Sequence, residues 1–107
     1  MDIVIIGTGN AATVLAKKFV AAGHRILQIF GRDASAASQL AYEFDTESTN
    51  YWSVIRNDAD VYIIAVTDDA IPEVAKYLQI PGKVVAHTAG SVSKDVLKNV
   101  SSHYCVF

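Results

Sequence analysis

The residues most suited to chemistry form the run Gly7-Thr8-Gly9-Asn10-Ala11-Ala12, which fits the pattern G-x-G-x-x-A. An apolar strand-like segment precedes the run and an amphipathic helical pattern follows it, within a unit of about 30 residues. Gly7 would permit a tight turn, Gly9 would let a pyrophosphate approach the backbone, and Ala12 would let the helix pack closely on the strand. Amides at a helix N-terminus favour phosphate. The run therefore predicts a dinucleotide-binding loop, and the alternative is a tight turn that binds nothing.

The end of the next strand bears on which dinucleotide fits. An NAD site places Asp or Glu there to hold the ribose 2′-hydroxyl, but this chain has Gly31 in that place, followed by Arg32. A guanidinium can bind a 2′-phosphate through paired hydrogen bonds and neutralise its charge, so the sequence favours NADP over NAD. Arg32 could instead be a solvent-exposed loop cation. Asp33 could be a displaced ribose acid, although its position before a helix favours an N-cap.

Two further loops are expected at the same edge of the sheet, because ligands bind outside the carboxyl ends of parallel strands. They contribute Val66, Thr67 and Asp68 after one strand, and His87 and Thr88 after the next. We expect them to flank the ribose and the nicotinamide. His87 could donate a proton or a hydrogen bond to substrate, or it could be a strand-end histidine satisfied by backbone. No catalytic residue is assigned, and no metal site is expected.

Apolar strands that alternate with amphipathic helices predict an α/β fold, a doubly wound and mostly parallel sheet in three layers. The predicted strands are Asp2–Ile6, Arg25–Phe30, a weak one at Thr46–Ser48, Ala59–Val66, Lys83–His87 and His103–Phe107. The first predicted helix is Asn10–Ala22, and the second is capped by Asp33 or Ser35 and runs to about Phe44. The third is a short helix through about Arg56 with Asn50 as its cap, and the fourth is Ala70–Leu78, capped by Asp69 and with Pro72 in its first turn. The last predicted helix is Ser93–Val100.

Composition excludes several classes of protein. A length of 107 residues suits one domain, and the 51% hydrophobic and 19% charged content excludes disorder. The formal net charge of −2 indicates neither a nucleic-acid partner nor a membrane surface. A single cysteine excludes a disulfide framework and multi-cysteine zinc motifs, so a cytoplasmic location is expected.

Four segments together carry a resemblance to a known family: GTGNAA, GRD, DADVYIIAVTDDAI and VVAHTAGSVSKDVL. They resemble the Rossmann-like NADP oxidoreductases whose cofactor domain is followed by a helical domain of unknown function, relatives of pyrroline-5-carboxylate reductase and of the deazaflavin-dependent NADP reductases. The resemblance covers essentially the whole chain. It implies an NADP site at the matching positions, which are Gly7, Thr8, Gly9, Asn10, Ala11, Ala12, Gly31, Arg32, Thr67, Asp68, His87 and Thr88.

The resemblance also implies a domain organisation. Residues 1–107 correspond to the cofactor domain, and the ending Cys105-Val106-Phe107 is similar to the point where the family chain crosses into the helical dimerisation domain. We therefore expect a homodimer when that helical domain is present. The expected function is hydride transfer between NADP(H) and a small imine or carbonyl substrate. The alternative is a non-catalytic NAD(P)-sensing domain. A methyltransferase domain is disfavoured, because Arg32 stands where such domains hold a ribose acid.

Overall fold

The computed structural model describes residues 1–88, residue 101 and residues 103–106, and within these ranges it alternates strands with helices. The strands are β1 (Asp2–Ile6), β2 (Arg25–Phe30), β3 (Glu47–Thr49), β4 (Val61–Ile64), β5 (Val84–His87) and β6 (His103–Val106). The helices are α1 (Asn10–Ala21), α2 (Ala34–Glu43) and α3 (Ile71–Tyr77), with short 3-10 helices at Trp52–Val54 and Asp68–Ala70. The predicted helix Ser93–Val100 lies outside the described residues.

All six strands form one sheet in the order β3-β2-β1-β4-β5-β6, and every neighbouring pair is parallel. The chain winds outward from β1 to β3, then returns to the other side of β1 to form β4. Strand order therefore reverses between β1 and β4, and the crevice at such a point is where open α/β sheets bind ligands. The predicted doubly wound parallel sheet is confirmed.

The side chains of β1 are buried on both faces of the sheet. Val4 and Ile6 belong to a core cluster that includes the α3 residues Ile71 and Val74. The alternating residues of β1 belong to a second cluster, which contains residues of α1 and α2. Because successive strand residues point to opposite faces, the two clusters place α3 on one face and α1 with α2 on the other. This is the predicted three-layer arrangement.

Two predicted helix caps are wrong. Asn50 does not cap a helix through Arg56: the segment forms only the 3-10 helix Trp52–Val54, preceded by Tyr51, whose N–H donates to Thr49 Oγ1 at 3.1 Å. Asp69 does not cap α3, because it lies inside the 3-10 helix Asp68–Ala70, which runs directly into α3. The chain is already helical at Asp69, and Ala70 precedes α3 without a side-chain cap.

A buried glutamine on β2 anchors the loop that carries Trp52. Gln28 is 1% exposed, its Nε2 donates to Val54 O at 3.1 Å, and its Oε1 accepts from Arg56 N at 2.9 Å. The Tyr62 hydroxyl from β4 donates to Arg56 O, and burial raises the pKa of that hydroxyl. The backbone of residues 54–56 is therefore fixed to the central strands by side chains of β2 and β4.

The side chain of Arg56 extends this anchoring to the edge of the sheet. Its Nη2 lies 2.6 Å from Asp58 Oδ2, and its Nη1 lies 3.2 Å from Glu47 Oε1 on β3. The hydrogen bonds from Arg56 hold the pKa of the Asp58 carboxyl below its usual range. Both pairs are substantially exposed, so they guide the path of the loop more than they stabilise it.

We expect Gln28→Leu to lower the free energy of unfolding by about 1–3 kcal/mol, because Val54 O and Arg56 N–H lose their partners. Urea denaturation followed by the fluorescence of Trp52 measures the change. Gln79→Leu is the matched control, since Gln79 is exposed and the same substitution there should be nearly neutral. Equal unfolding midpoints for the two variants would show that Gln28 does not anchor the loop.

Candidate functional site

The loop after β1 has a backbone that only glycine suits at its first position. Gly7 adopts φ +134°, and its N–H donates to Phe30 O at the end of β2 at 2.8 Å. A Cβ added to Gly7 would lie 2.1 Å from Ala65 O. The loop is therefore packed directly on the ends of β2 and β4, and this close approach fixes where helix α1 begins.

The N-terminus of α1 is open to a ligand. Gly9 is its N-cap residue, no side chain caps it, and its first turn holds no acidic residue. Thr13 donates to Gly9 O through both its backbone N–H and its Oγ1, each at 3.0 Å. The first amides of a helix have no partner within the helix. A Cβ on Gly9 would meet nothing within 4 Å, so the space above this backbone can accept a phosphate.

A cleft of about 480 Å³ opens at this edge of the sheet. Its volume lies in the usual range of small-molecule sites, which is about 300–1,000 Å³. It is bounded by the segment Gly7–Ala12 after β1, which we call the phosphate loop, by the end of β2, the Trp52 loop, the end of β4 and helix α3. The lining residues are Ile6, Gly7, Thr8, Gly9, Asn10, Ala11, Phe30, Gly31, Arg32, Asp33, Trp52, Ala65, Val66, Thr67, Ala70, Glu73 and Val74.

The end of β2 is crowded at the position where an NAD site would hold its acid. Gly31 is buried, and a Cβ added to it would lie 2.5 Å from Thr8 Cγ2 and 3.2 Å from Ala37 Cβ. Thr8 of the phosphate loop thus occupies the space that a side chain at position 31 would need. An acidic residue at this position would require the Thr8 side chain to move and helix α2 to shift by a few tenths of an ångström.

Asp33 and Arg32 have different partners. Asp33 is the N-cap of α2, and its Oδ1 accepts from Ser35 N at 2.9 Å and from Ala36 N at 3.2 Å. The predicted capping role of Asp33 is thereby confirmed. Arg32 is exposed, and its Nη1 lies 2.7 Å from Oε2 of Glu73, in the first turn of α3. Both side chains of this ion pair line the cleft.

Trp52 forms an aromatic wall of the same cleft. Its ring centroid lies 4.1 Å from that of Phe30, which lines the cleft beside it. Trp52 also stacks on Tyr77 of α3, with centroids 5.8 Å apart and an interplanar angle of 22°. The packed ring of Trp52 thus borders the cleft.

The structure brings together nine of the predicted site residues in the cleft: Gly7, Thr8, Gly9, Asn10, Ala11, Gly31, Arg32, Val66 and Thr67. Ala12 lies fully buried between α1 and the sheet, which agrees with its expected packing role. His87 is completely buried at the end of β5, and the adjacent Thr88 donates its N–H to Ile64 O at 3.2 Å. The side chain of Asp68 lies outside the described part of the structure.

Sequence reasoning missed Glu73 as a lining residue. No local pattern distinguishes Glu73 from a solvent-facing helix residue, because its partner Arg32 is 41 positions away in the chain. Among the described residues, no group of three or more His, Cys, Asp or Glu side chains could hold a metal ion. No helix in the described ranges has the length and apolar character needed to cross a bilayer.

Comparison with known protein families gives one match over most of the chain. A family model described as "NADP oxidoreductase coenzyme F420-dependent" matches residues 2–90. No curated protein matches the sequence significantly. The matched range includes the phosphate loop, the end of β2 and helix α3, and so contains every residue that lines the cleft.

Comparison with solved structures gives similar folds. A Bacteroides fragilis protein, described provisionally as an NADP oxidoreductase, is 35% identical with a TM-score of 0.90 over 99% of this chain. This chain spans 42% of that protein's length. Synechocystis biliverdin reductase, solved with biliverdin and NADP⁺, is 20% identical with a TM-score of 0.76, over 98% of this chain and 37% of its own. Prephenate dehydrogenase from A. aeolicus, solved with NAD⁺, is 19% identical with a TM-score of 0.77, over 94% of this chain and 40% of its own.

Proposed function

We propose that this chain, which belongs to the family described as "NADP oxidoreductase coenzyme F420-dependent", binds NADP(H) in the cleft. We further propose that it takes part in hydride transfer to a small imine or carbonyl substrate. The observation that carries the proposal is the end of β2, where Arg32 borders the cleft and Gly31 stands, packed against the Thr8 methyl, in the place of a ribose-binding acid. A guanidinium at this position suits a 2′-phosphate. The same end of the strand would give a 2′-hydroxyl no carboxylate partner at position 31.

The open N-terminus of α1 supports the placement of the pyrophosphate. The amides of Asn10 and Ala11 would donate to it, and the helix dipole would favour its charge. The adenosine would then lie toward Arg32 and Trp52. The nicotinamide would lie toward Val66 and Thr67 and the ends of β4 and β5. The hydride chemistry belongs to the nicotinamide, and the residues of this chain bind and orient it.

The substrate contacts of the working protein are proposed to come largely from outside residues 1–107. This chain spans 42% of the similar Bacteroides fragilis protein. We propose that residues 1–107 form the cofactor domain, that a helical domain joins two such chains as a homodimer, and that the protein works in the cytoplasm. Thr67 and Asp68 after β4, and Thr88 after the buried His87 of β5, are proposed to lie near the nicotinamide end of the cofactor.

Fluorescence of Trp52 tests cofactor preference directly, because it is the one tryptophan in the sequence and it borders the cleft. We expect NADPH to quench this fluorescence on binding. Its dissociation constant should be at least about tenfold below that of NADH, because a charge-assisted hydrogen bond to the 2′-phosphate is strong. Calorimetric titration supplies an independent measure of both constants. Equal constants, or tighter binding of NADH, would contradict the assignment of NADP.

Hydride transfer is tested separately by following NADPH oxidation with panels of imines, small carbonyl compounds and a deazaflavin. The assay requires the chain together with whatever follows it in its natural protein. Turnover of an imine or carbonyl compound would support the proposed reaction class. Turnover of the deazaflavin alone would correct the substrate class, and tight NADPH binding without turnover would favour the NAD(P)-sensing alternative.

A further inference from the structure

The charges that line the cleft do not match the ligand proposed for it. Among the described residues, the lining contains one guanidinium, Arg32, and two carboxylates, Asp33 and Glu73. A 2′-phosphate alone brings a charge of about −1.5 to −2. Asp33 is held at the N-cap of α2, where it accepts two backbone hydrogen bonds. Glu73 is therefore the carboxylate whose presence needs a further explanation.

The ion pair between Arg32 and Glu73 joins the two sides of the cleft. Arg32 follows β2, Glu73 belongs to α3 after β4, and β1 with its phosphate loop lies between those two strands. The contact uses Nη1 of Arg32 at 2.7 Å from Oε2 of Glu73. A carboxylate at this distance occupies one of the five N–H donors of the guanidinium and offsets its charge.

We propose that Glu73 is a specificity-determining residue: it holds Arg32 as an internal counter-ion and competes with the 2′-phosphate, which lowers the affinity for NADP(H) without affecting NAD(H). This inference rests on the proposed function. Binding of NADP(H) requires Arg32 to turn from Glu73 to the phosphate, or to share its donors between them. It also brings two negative groups near each other. An unphosphorylated ribose demands neither change.

The exposure of the pair sets the size of the effect. The side chains of Arg32 and Glu73 are 70% and 42% exposed, so solvent screens their attraction. An ion pair of this kind contributes little to stability. Glu73 is thus a moderate competitor that the phosphate can displace, and it narrows the preference for NADP(H) without reversing it. The Glu73 carboxylate also interacts favourably with the helix dipole, because it lies in the first turn of α3. That interaction would not distinguish NADP(H) from NAD(H).

The test compares Glu73→Gln with wild type in calorimetric titrations of NADPH, NADH and the fragments 2′,5′-ADP and 5′-AMP. We expect Glu73→Gln to bind NADPH and 2′,5′-ADP about two- to tenfold more tightly, with NADH and 5′-AMP changed by less than about twofold. Glu43→Gln is the matched control. It removes the same charge from a carboxylate that pairs with Lys17 at 3.7 Å and does not line the cleft, so its affinities should match wild type.

The outcomes separate this inference from the proposed function. Weaker binding of either dinucleotide to Glu73→Gln would overturn the inference, because Glu73 would then be a direct ligand. Equal tightening for all four ligands, or no change, would overturn it as well. In those cases a wild-type preference for NADPH still supports the proposed function, whereas no binding of NADPH by wild type refutes both. Glu73→Ala serves as a second variant if Glu73→Gln folds poorly, and the same direction of change is expected.

Discussion

Arg32→Ala should weaken NADPH binding by about 1.5–3 kcal/mol, or roughly 10- to 150-fold, the range for a hydrogen bond to a charged group. The binding of NADH should change by less than about twofold, since its ribose carries no phosphate for Arg32 to bind. The loss for NADPH should lie at the upper end of the range, because Glu73 would keep its charge beside the phosphate with no guanidinium to offset it. Titration of the single tryptophan, Trp52, measures all of these constants.

Two further variants define what Arg32 contributes. Arg32→Lys keeps the charge but loses the paired donors, so its affinity for NADPH should fall between those of wild type and Arg32→Ala. Arg25→Ala removes an arginine that is similarly exposed but pairs with Asp2 at the opposite end of the strands, and it should leave both dinucleotides unaffected. A parallel loss of NADPH and NADH affinity in Arg32→Ala would mean that Arg32 supports the cleft in general and does not read the 2′-phosphate.

The central strands and α1 could be predicted closely from the sequence. Strands β1 and β2 have the predicted bounds, and α1 ends one residue before the predicted Ala22. These elements have strong signals, because a strand buried on both faces must be continuously apolar and a covering helix must be amphipathic. At the end of α1, Gly23 adopts φ +90°, a left-handed conformation in which glycine commonly ends a helix.

The errors lie where the pattern is short and polar. Asn50 and Asp69 are good capping residues by type, but Asn50 precedes only a single 3-10 turn and Asp69 lies within one. Cap preference is a local property, whereas the start of α3 is set by how the chain leaves β4 and returns to the sheet. Local propensity of this kind is a weak guide when tertiary packing decides the boundary.

The candidate site also contains one part that the sequence predicts and another that it does not. The phosphate loop is contiguous in sequence, and its glycine spacing reflects a local backbone requirement that a motif can capture. Glu73 and the wall formed by Trp52 depend on contacts between distant segments: Gln28 lies 26 and 28 positions from the backbone atoms that it anchors. No periodicity or motif encodes such distances. Gly31 also depends on a contact between distant segments, because a Cβ there would meet the methyl group of Thr8.

Gly7→Ala should lower the free energy of unfolding by about 2–4 kcal/mol, through strained backbone and overpacking together. The φ of +134° disfavours any L side chain, and the added methyl would lie 2.1 Å from Ala65 O, a backbone atom that cannot move without disturbing β4. Such a loss is a large part of the stability of a small domain, which is usually about 5–15 kcal/mol. Thermal and urea denaturation of wild type and Gly7→Ala measure this loss of unfolding free energy.

Gly9→Ala is the matched control, because the same methyl added two residues later meets nothing within 4 Å and φ there is −85°. Its stability should stay within about 1 kcal/mol of wild type. Its affinity for NADPH and NADH should fall together, since the methyl would crowd the backbone that the pyrophosphate must approach. The two glycines would thus separate two requirements of one motif, the fold at Gly7 and the ligand at Gly9. Equal destabilisation of both variants, or wild-type stability of Gly7→Ala, would contradict this division.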